Sequence, residues 1–170
     1  MKTLAEIKTE VDRLAAKIGV SEHPTLPTYG YSEGTARAHI EVDKRGYHYV
    51  VVERLTESER LTTFDLDAVL YRVFRSVTFH LSCAYELVHR VETQDGRRMN
   101  FQHQVELLSQ LSKSWGERQA QEQQRILRDH PFDDSSSARL TSAAKLMEAG
   151  HSYETAWQMA ERLHPSPASS

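Results

Sequence analysis

Cysteine is almost absent from this sequence, and long apolar runs are missing altogether. A lone thiol, Cys83, cannot form an intrachain disulfide and cannot supply the ligand set of a cysteine-based zinc site. No run of about 18 apolar residues exists, so no membrane-spanning helix is predicted. Charged side chains recur through residues 1–8, where a signal peptide would have an apolar core. These absences predict a cytosolic protein with no membrane partner.

An excess of charge of one sign is also lacking. The 170 residues include 21 basic and 24 acidic side chains, which gives a formal net charge of −3 at pH 7. Residues 1–100 carry a net charge of −1 and residues 101–170 a net charge of −2, so no strongly charged half is hidden in the total. The chain is not basic enough to predict nucleic-acid binding and not acidic enough to predict a nucleic-acid mimic.

The motifs of several enzyme classes are absent as well. The sequence contains neither a Gly-x-Ser-x-Gly turn nor a glycine-rich phosphate-binding loop. Its nine histidines include no His-x-x-x-His pair, which would place two imidazoles on one face of a helix. We therefore predict a protein without catalytic residues, metal ions or cofactors. A small hydrolase or a metal-dependent enzyme is kept as an alternative.

Apolar residues at helical spacing predict four helices within residues 1–129. The first is predicted over residues 3–18, and the longest over residues 65–91. The longest helix carries one continuous apolar stripe, formed by Leu66, Leu70, Val73, Val77, Leu81, Ala84 and Val88. Because it also has apolar residues off the stripe, it should be buried on several sides as the central helix. A third helix follows from Phe101 to Leu111, and a mostly polar fourth helix ends at about Asp129.

A β-hairpin is predicted between the first helix and the central helix. Its strands span residues 36–43 and 47–54, and Gly46 suits the end of a three-residue turn. In that register, one face of the hairpin carries two acids and two tyrosines: Glu41, Asp43, Tyr47 and Tyr49. A two-residue turn would reverse the assignment of the faces, because a shift of one residue moves every side chain to the other side.

The surrounding segments complete the predicted fold. Residues 20–35 are rich in proline and glycine and predict an irregular loop. Glu57 to Glu59 predict a second turn, with room for a short third strand over residues 60–63. The predicted class is α+β: a small antiparallel sheet, made of the hairpin and the short third strand, packs on the central helix with other helices beside it.

The C-terminal part predicts a helical hairpin. Ser135 to Ser137 are typical of a short linker, and helical patterns follow over residues 138–149 and 153–163. The domain organisation predicted from these patterns is an α+β domain over 1–134, a helical hairpin over 135–164 and a disordered tail over 165–170.

Several of these segments together resemble one bacterial family, Immunity protein 63. The hairpin segments 38–42 and 46–54 and the helix start at 62–71 are the most specific part of the resemblance. Shorter similar segments are 85–90, 94–98, 104–108 and 130–134. The resemblance extends over residues 4–134.

The resemblance implies an immunity protein that binds a cognate polymorphic toxin in the cytosol and neutralises it by stoichiometric protein–protein inhibition. It implies no catalytic residues and does not identify the toxin. Rigid aromatics mixed with charges suit a protein interface, so the predicted partner-binding residues are Glu41, Asp43, Tyr47, Tyr49, Glu57 and Glu59. Two alternatives remain: the tyrosines belong to the core under helices, or the chain is a non-enzymatic adaptor that works through its C-terminal hairpin.

Overall fold

The computed structural model describes residues 1–22 and 24–167 of the chain. Over these residues the strands are β1 (Thr28–Tyr29), β2 (Thr35–Asp43), β3 (Gly46–Glu53) and β4 (Thr56–Thr63). The helices are α1 (Leu4–Lys17), α2 (Leu66–His89), α3 (Gly96–Leu111), α4 (Lys113–Asp129), α5 (Ser136–Glu148) and α6 (Tyr153–Leu163). The predicted α+β class, the long helix after the sheet and the two C-terminal helices are confirmed.

The sheet is larger than the sequence predicts. Its strand order is β1-β2-β3-β4, with β1 parallel to β2 and the other two pairs antiparallel. β1 lies inside the segment 20–35 that predicts an irregular loop, and its two residues are too few to produce a periodic pattern. The predicted turn over Glu57 to Glu59 is wrong, since β4 contains these residues. The turn lies at Arg54 and Leu55, whose φ angles of 49° and 67° match the left-handed turn that two-residue hairpins favour.

The turn between β2 and β3 has two residues, so the predicted three-residue turn is wrong. Asp43 pairs with Gly46 and Val42 pairs with Tyr47. Directly paired residues lie on the same face of a sheet, so Tyr47 and Tyr49 share a face with Val42 and Ile40 instead of with the predicted Asp43 and Glu41. The observed register places five apolar and aromatic side chains together on one face: Ile40, Val42, Tyr47, Tyr49 and Val51. Burial of that face supplies the free energy that selects this register.

The chain divides into two compact units. Unit 1 comprises residues 1–81 and 104–119, and unit 2 comprises residues 82–103 and 120–170. The predicted boundary between residues 134 and 135 stays a prediction. Of the predicted disordered tail, residues 168–170 lie outside the described residues.

The core of unit 1 lies between one face of the sheet and the helices. Its buried residues include Ile40, Tyr47 and Tyr49 from the sheet, Ile7, Val11 and Leu14 from α1, and Val69, Val73, Phe74 and Val77 from α2. Trp115 of α4 stacks on Phe74 with the ring centroids 6.1 Å apart. Its indole N–H donates a hydrogen bond of 3.0 Å to the carboxylate of Asp67. The indole is therefore buried with its N–H donor paired, which avoids the main energetic cost of burying a tryptophan.

Arginines and aspartates connect the parts of unit 2. The guanidinium of Arg139 in α5 pairs with Asp133 and donates a hydrogen bond of 2.7 Å to the carbonyl of His164, just after α6. The N–H of Asp133 donates to Asp95 at 2.8 Å, and Asp95 also pairs with Arg97 at the start of α3. A buried guanidinium is costly unless its N–H groups find acceptors. This network therefore ties both helices of the C-terminal hairpin to the loop before α5.

We expect Gly46→Ala to destabilise the protein by at least about 2 kcal/mol. Gly46 has a φ of +122°, and a Cβ there would lie 2.9 Å from the carbonyl carbon of Thr63 and collide with its oxygen. Gly19→Ala is the matched control, because Gly19 also has a positive φ, of +74°, but has no heavy atom within 4 Å of an added Cβ. The control should cost only about 1 kcal/mol. Equal losses in urea denaturation would show that the close approach to β4 is unimportant.

Candidate interaction surface

The six residues that the sequence predicts to bind a partner are divided between the two faces of the sheet. The helix-facing side, which contacts the core of unit 1, carries Tyr47, Tyr49 and Glu59. The opposite side, here called the outer face, carries His39, Glu41, Asp43, His48, Glu57, Arg60 and Thr62. Three predicted acids therefore come together on the outer face, but the two tyrosines do not join them.

The two tyrosines have structural contacts. Tyr47 and Tyr49 are 4% and 2% exposed. The hydroxyl of Tyr47 accepts a hydrogen bond of 2.7 Å from the backbone N–H of Lys2. The guanidinium of Arg72 lies 5.0 Å from the ring centroid of Tyr49 and also pairs with Glu59. Burial raises the pKa of the Tyr49 hydroxyl. The predicted mixed face of acids and tyrosines is not formed, because the hairpin register places the rings in the core.

Arg60 is the long side chain that spans the outer face. It lies on β4, yet it donates a hydrogen bond of 3.1 Å to Glu41 on β2 as well as one of 2.8 Å to Glu57. Because β3 lies between β4 and β2, the side chain must cross β3. Its directly paired neighbour on β3 is Val50, which is only 1% exposed. The aliphatic part of Arg60 thus helps to cover apolar surface while its charged end stays paired.

Two histidines of the outer face are buried, and the sequence-based site omits both. His48 is 1% exposed; its Nε2 lies 2.9 Å from Asp43 Oδ1 and its Nδ1 lies 2.9 Å from Thr62 Oγ1. His39 is also buried, with Nε2 3.1 Å from Glu41 Oε1. No hydrogen-bond partner for its Nδ1 is found among the described residues. Each histidine therefore orients one carboxylate of the outer face.

The carboxylates of the outer face are stabilised in their ionised form. The pKa of Asp43 lies well below its ordinary value, chiefly because of hydrogen bonds from the Arg45 side chain and then from His48. The side chain of Arg60 likewise lowers the pKa of Glu57. For Glu41, partial burial acts in the opposite direction, but hydrogen bonds from Arg60 and His39 outweigh it, and the net pKa is lowered. The outer face thus carries three ionised carboxylates at neutral pH, each of them paired with an arginine.

Neither a metal-binding cluster nor a membrane-spanning helix is found among the described residues. Within residues 1–22 and 24–167, no group of three or more His, Cys, Asp or Glu side chains is placed to hold a metal ion. In the same part of the chain, no helix combines the length and the apolar character needed to cross a membrane. The thiol of Cys83 accepts a hydrogen bond of 3.1 Å from the Asn100 side chain.

These observations define a small α+β protein with a charged face on its sheet. The model of the family described as Immunity protein 63 matches residues 43–125. The resemblance to that family is confirmed over this segment, which is shorter than the 4–134 suggested by the sequence motifs. No curated protein and no solved structure matches the chain. The matched segment begins at Asp43 and contains β3, β4, α2 and α3.

We expect Arg60→Met to lower the free energy of unfolding more than Arg45→Met does. Arg60 is shared by carboxylates on two strands and covers β3, whereas Arg45 pairs with Asp43 within its own turn and its side chain is 68% exposed. Exposed ion pairs of the second kind contribute little to stability. Urea denaturation of both variants at pH 7 tests the difference. Equal denaturation midpoints would contradict a structural role for Arg60.

The lowered pKa of Asp43 predicts a pH dependence of stability with a defined sign. Since the carboxyl has a lower pKa in the folded state than its ordinary value of about 3.9, ionised Asp43 stabilises the fold above about pH 4. That contribution is lost as the pH falls from there toward the folded-state pKa. Asp43→Asn should therefore be less stable than wild type at pH 7, and the difference should shrink as the solution is acidified. A difference that grows in acid would refute this.

Proposed function

We propose that this protein is a non-enzymatic immunity protein that binds and neutralises a cognate polymorphic toxin domain in the cytoplasm. The observation that carries the proposal is the match of residues 43–125 to Immunity protein 63. The proposed mode is stoichiometric inhibition, in which the bound protein covers the active site of the toxin or holds an inactive form of it. The fold supports this mode by presenting hydrogen-bonded carboxylates on one face of a sheet.

The outer face is the proposed centre of toxin recognition. Its carboxylates Glu41, Asp43 and Glu57 are held in place by His39, His48 and Arg60. Side chains that are already ordered lose little conformational entropy when a partner binds. Fixed carboxylates attract basic groups, which raises the rate of encounter and rejects acidic partners. The toxin surface that fits here carries lysine or arginine side chains.

Phe64 supplies the aromatic contact that the buried tyrosines cannot. It follows β4 directly, is 69% exposed, and its Cδ1 lies 3.4 Å from the place where a Cβ on Gly46 would stand. The ring therefore rests beside the turn that contains Arg45 and follows Asp43. Exposed aromatics next to charged groups are typical of the residues that dominate binding energy in protein interfaces. The sequence-based prediction missed Phe64 because it falls between the last strand and the central helix.

One observation favours a second candidate function, a small hydrolase. Asp43, His48 and Thr62 form a continuous hydrogen-bonded chain of carboxylate, imidazole and hydroxyl, with both distances 2.9 Å. The order of the three groups is that of an acid–base–nucleophile triad, with the two imidazole nitrogens exchanged relative to the serine-protease arrangement. Thr62→Val distinguishes the two functions, because it removes the hydroxyl. A hydrolase would lose ester cleavage in this variant, whereas an immunity protein would keep toxin neutralisation.

We expect the triple variant Glu41→Gln, Asp43→Asn, Glu57→Gln to lose toxin neutralisation. Removal of the three fixed charges should weaken binding at least about tenfold, mainly through slower association. The probe is the toxin domain encoded beside the gene of this chain, measured by rescue of toxin-expressing cells and by calorimetry. Circular dichroism and urea denaturation should first establish that the variant is folded.

The matched control replaces three other exposed glutamates by glutamine, at Glu92, Glu148 and Glu154. It changes the net charge by the same amount but leaves the outer face intact, so it should rescue cells as wild type does. If the wild-type protein neither binds the toxin domain nor rescues the cells, the immunity function is wrong. If the folded outer-face variant rescues fully, the function stands but the proposed surface is wrong.

A further inference from the structure

β4 forms an open edge of the sheet. It is the last strand in the order β1-β2-β3-β4 and is eight residues long, from Thr56 to Thr63. In the described part of the chain, no backbone hydrogen bond joins residues 56–63 to anything outside the sheet. Exposed edges of this length are templates for another strand. Beyond the outer face, the molecule therefore offers a second kind of contact, made by main-chain atoms.

The turns on both sides of β3 determine the direction of its backbone groups. A two-residue turn is closed by a hydrogen-bonded pair, which is Asp43 with Gly46 at one end of β3 and Glu53 with Thr56 at the other. Hydrogen-bonded and non-hydrogen-bonded pairs then alternate along each ladder. The N–H and C=O groups of Gly46 must face β2, and those of Glu53 must face β4. Counting residues from either turn therefore gives the same direction for the backbone groups of every residue of β3.

This alternation separates the residues of β4 into two sets. Leu61 and Thr63 pair with Tyr49 and Tyr47, which direct their backbone groups toward β4, so both form hydrogen bonds to β3. Arg60 and Thr62, which directly precede Leu61 and Thr63, belong to the set that is not hydrogen-bonded to β3. Their N–H and C=O groups point away from β3, to the open side of the sheet. An added strand would find donors and acceptors there at the normal spacing of an antiparallel ladder.

We propose that an extended basic segment of the toxin adds to β4 as a fifth strand. This inference rests on the proposed immunity function and specifies how the partner is held. The main-chain groups of Arg60 and Thr62 exchange hydrogen bonds with the added strand, and the neighbouring carboxylates of the outer face contact its side chains. Backbone pairing provides affinity, while the charges select the segment.

The charge of the edge indicates what kind of segment fits. β4 carries Glu57, Glu59 and Arg60, a net charge of −1, and the outer face beside it adds the carboxylates of Glu41 and Asp43. A segment with lysines or arginines complements this charge. A second copy of the chain would bring the same carboxylates against these, and like-charged strands repel.

The edge is also protected against indiscriminate pairing. The register shifts between Val51 and Val52, so that Ser58 is an extra residue on β4, and Glu57 and Arg60 are charged. Bulges and charged side chains are the usual means of preventing edge-to-edge association. A partner must therefore match both the interrupted spacing and the charges, which makes the edge selective.

Hydrogen exchange read by NMR tests the proposal without any substitution. In the free protein, the amides of Leu61 and Thr63 should exchange slowly, while those of Arg60 and Thr62 exchange fast because they face solvent. Saturation with the toxin domain encoded beside the gene of this chain should slow Arg60 and Thr62 by at least about tenfold. If the toxin domain binds and these two amides keep their fast exchange, the fifth-strand proposal is wrong although the immunity function stands.

Thr62→Pro and Thr62→Val form a matched pair of variants. Both remove the hydroxyl that contacts His48, but only proline removes the outward N–H, and proline is tolerated at such edge positions. Thr62→Pro should bind the toxin domain at least about tenfold more weakly than Thr62→Val. Equal affinities of the two folded variants for the toxin domain would overturn the proposal. So would a wild-type dimer, seen in sedimentation, that dissociates in Thr62→Pro, because β4 would then pair with a second copy of the chain. If wild type does not bind the toxin domain at all, both the function and the fifth strand are refuted.

Discussion

The pairing of Asp43 with Gly46 across a two-residue turn determines most of the properties of unit 1. It directs Tyr47 and Tyr49 toward the helices, together with Ile40, Val42 and Val51. It leaves the acids and histidines on the opposite face. It also sets which backbone groups of β3 meet β2 and which meet β4. A shift of one residue would bury carboxylates against the helices, so burial and electrostatics both enforce the same register.

The outer face combines apolar burial with fixed charge. Val50 and His48 lie at its centre and are almost inaccessible, while the ion pairs of Arg60 lie over and around them. The carboxylates are already paired, so a partner that displaces Arg60 must replace the interactions it breaks. Such a surface therefore gains more in discrimination between partners than in raw affinity. That property suits the proposed immunity function, in which one toxin is recognised among related ones.

The sequence predicts the large elements well because their periodic patterns are long. The apolar stripe of the central helix and the two C-terminal helices extend over several turns, and α2, α5 and α6 follow them closely. The register is harder to predict, since Gly46 suits the end of a three-residue turn as well as the first strand position after a two-residue turn. β1 is too short for any pattern, and the polar sequence of β4 lacks an apolar alternation that would mark it as a strand.

The candidate site could be predicted only in part for the same reason. Glu41, Asp43 and Glu57 do share one surface, but a single-residue error in register exchanged the tyrosines for histidines beside them. The alternative reading, in which the tyrosines belong to the core, agrees with their burial. The reach of Arg60 across β3 had no signal in the sequence, because Arg60 and Glu41 are 19 residues apart and meet only through the sheet.

The short turns of the sheet have a consequence for the order of folding. Lys44-Arg45 and Arg54-Leu55 each connect neighbouring strands with two residues, so little chain entropy is lost when β2, β3 and β4 pair. The contact of Trp115 with Asp67, by contrast, closes a loop of 48 residues. Local contacts form faster than distant ones. The three-stranded meander should therefore assemble first and serve as the template on which the remaining helical segments of unit 1 collapse.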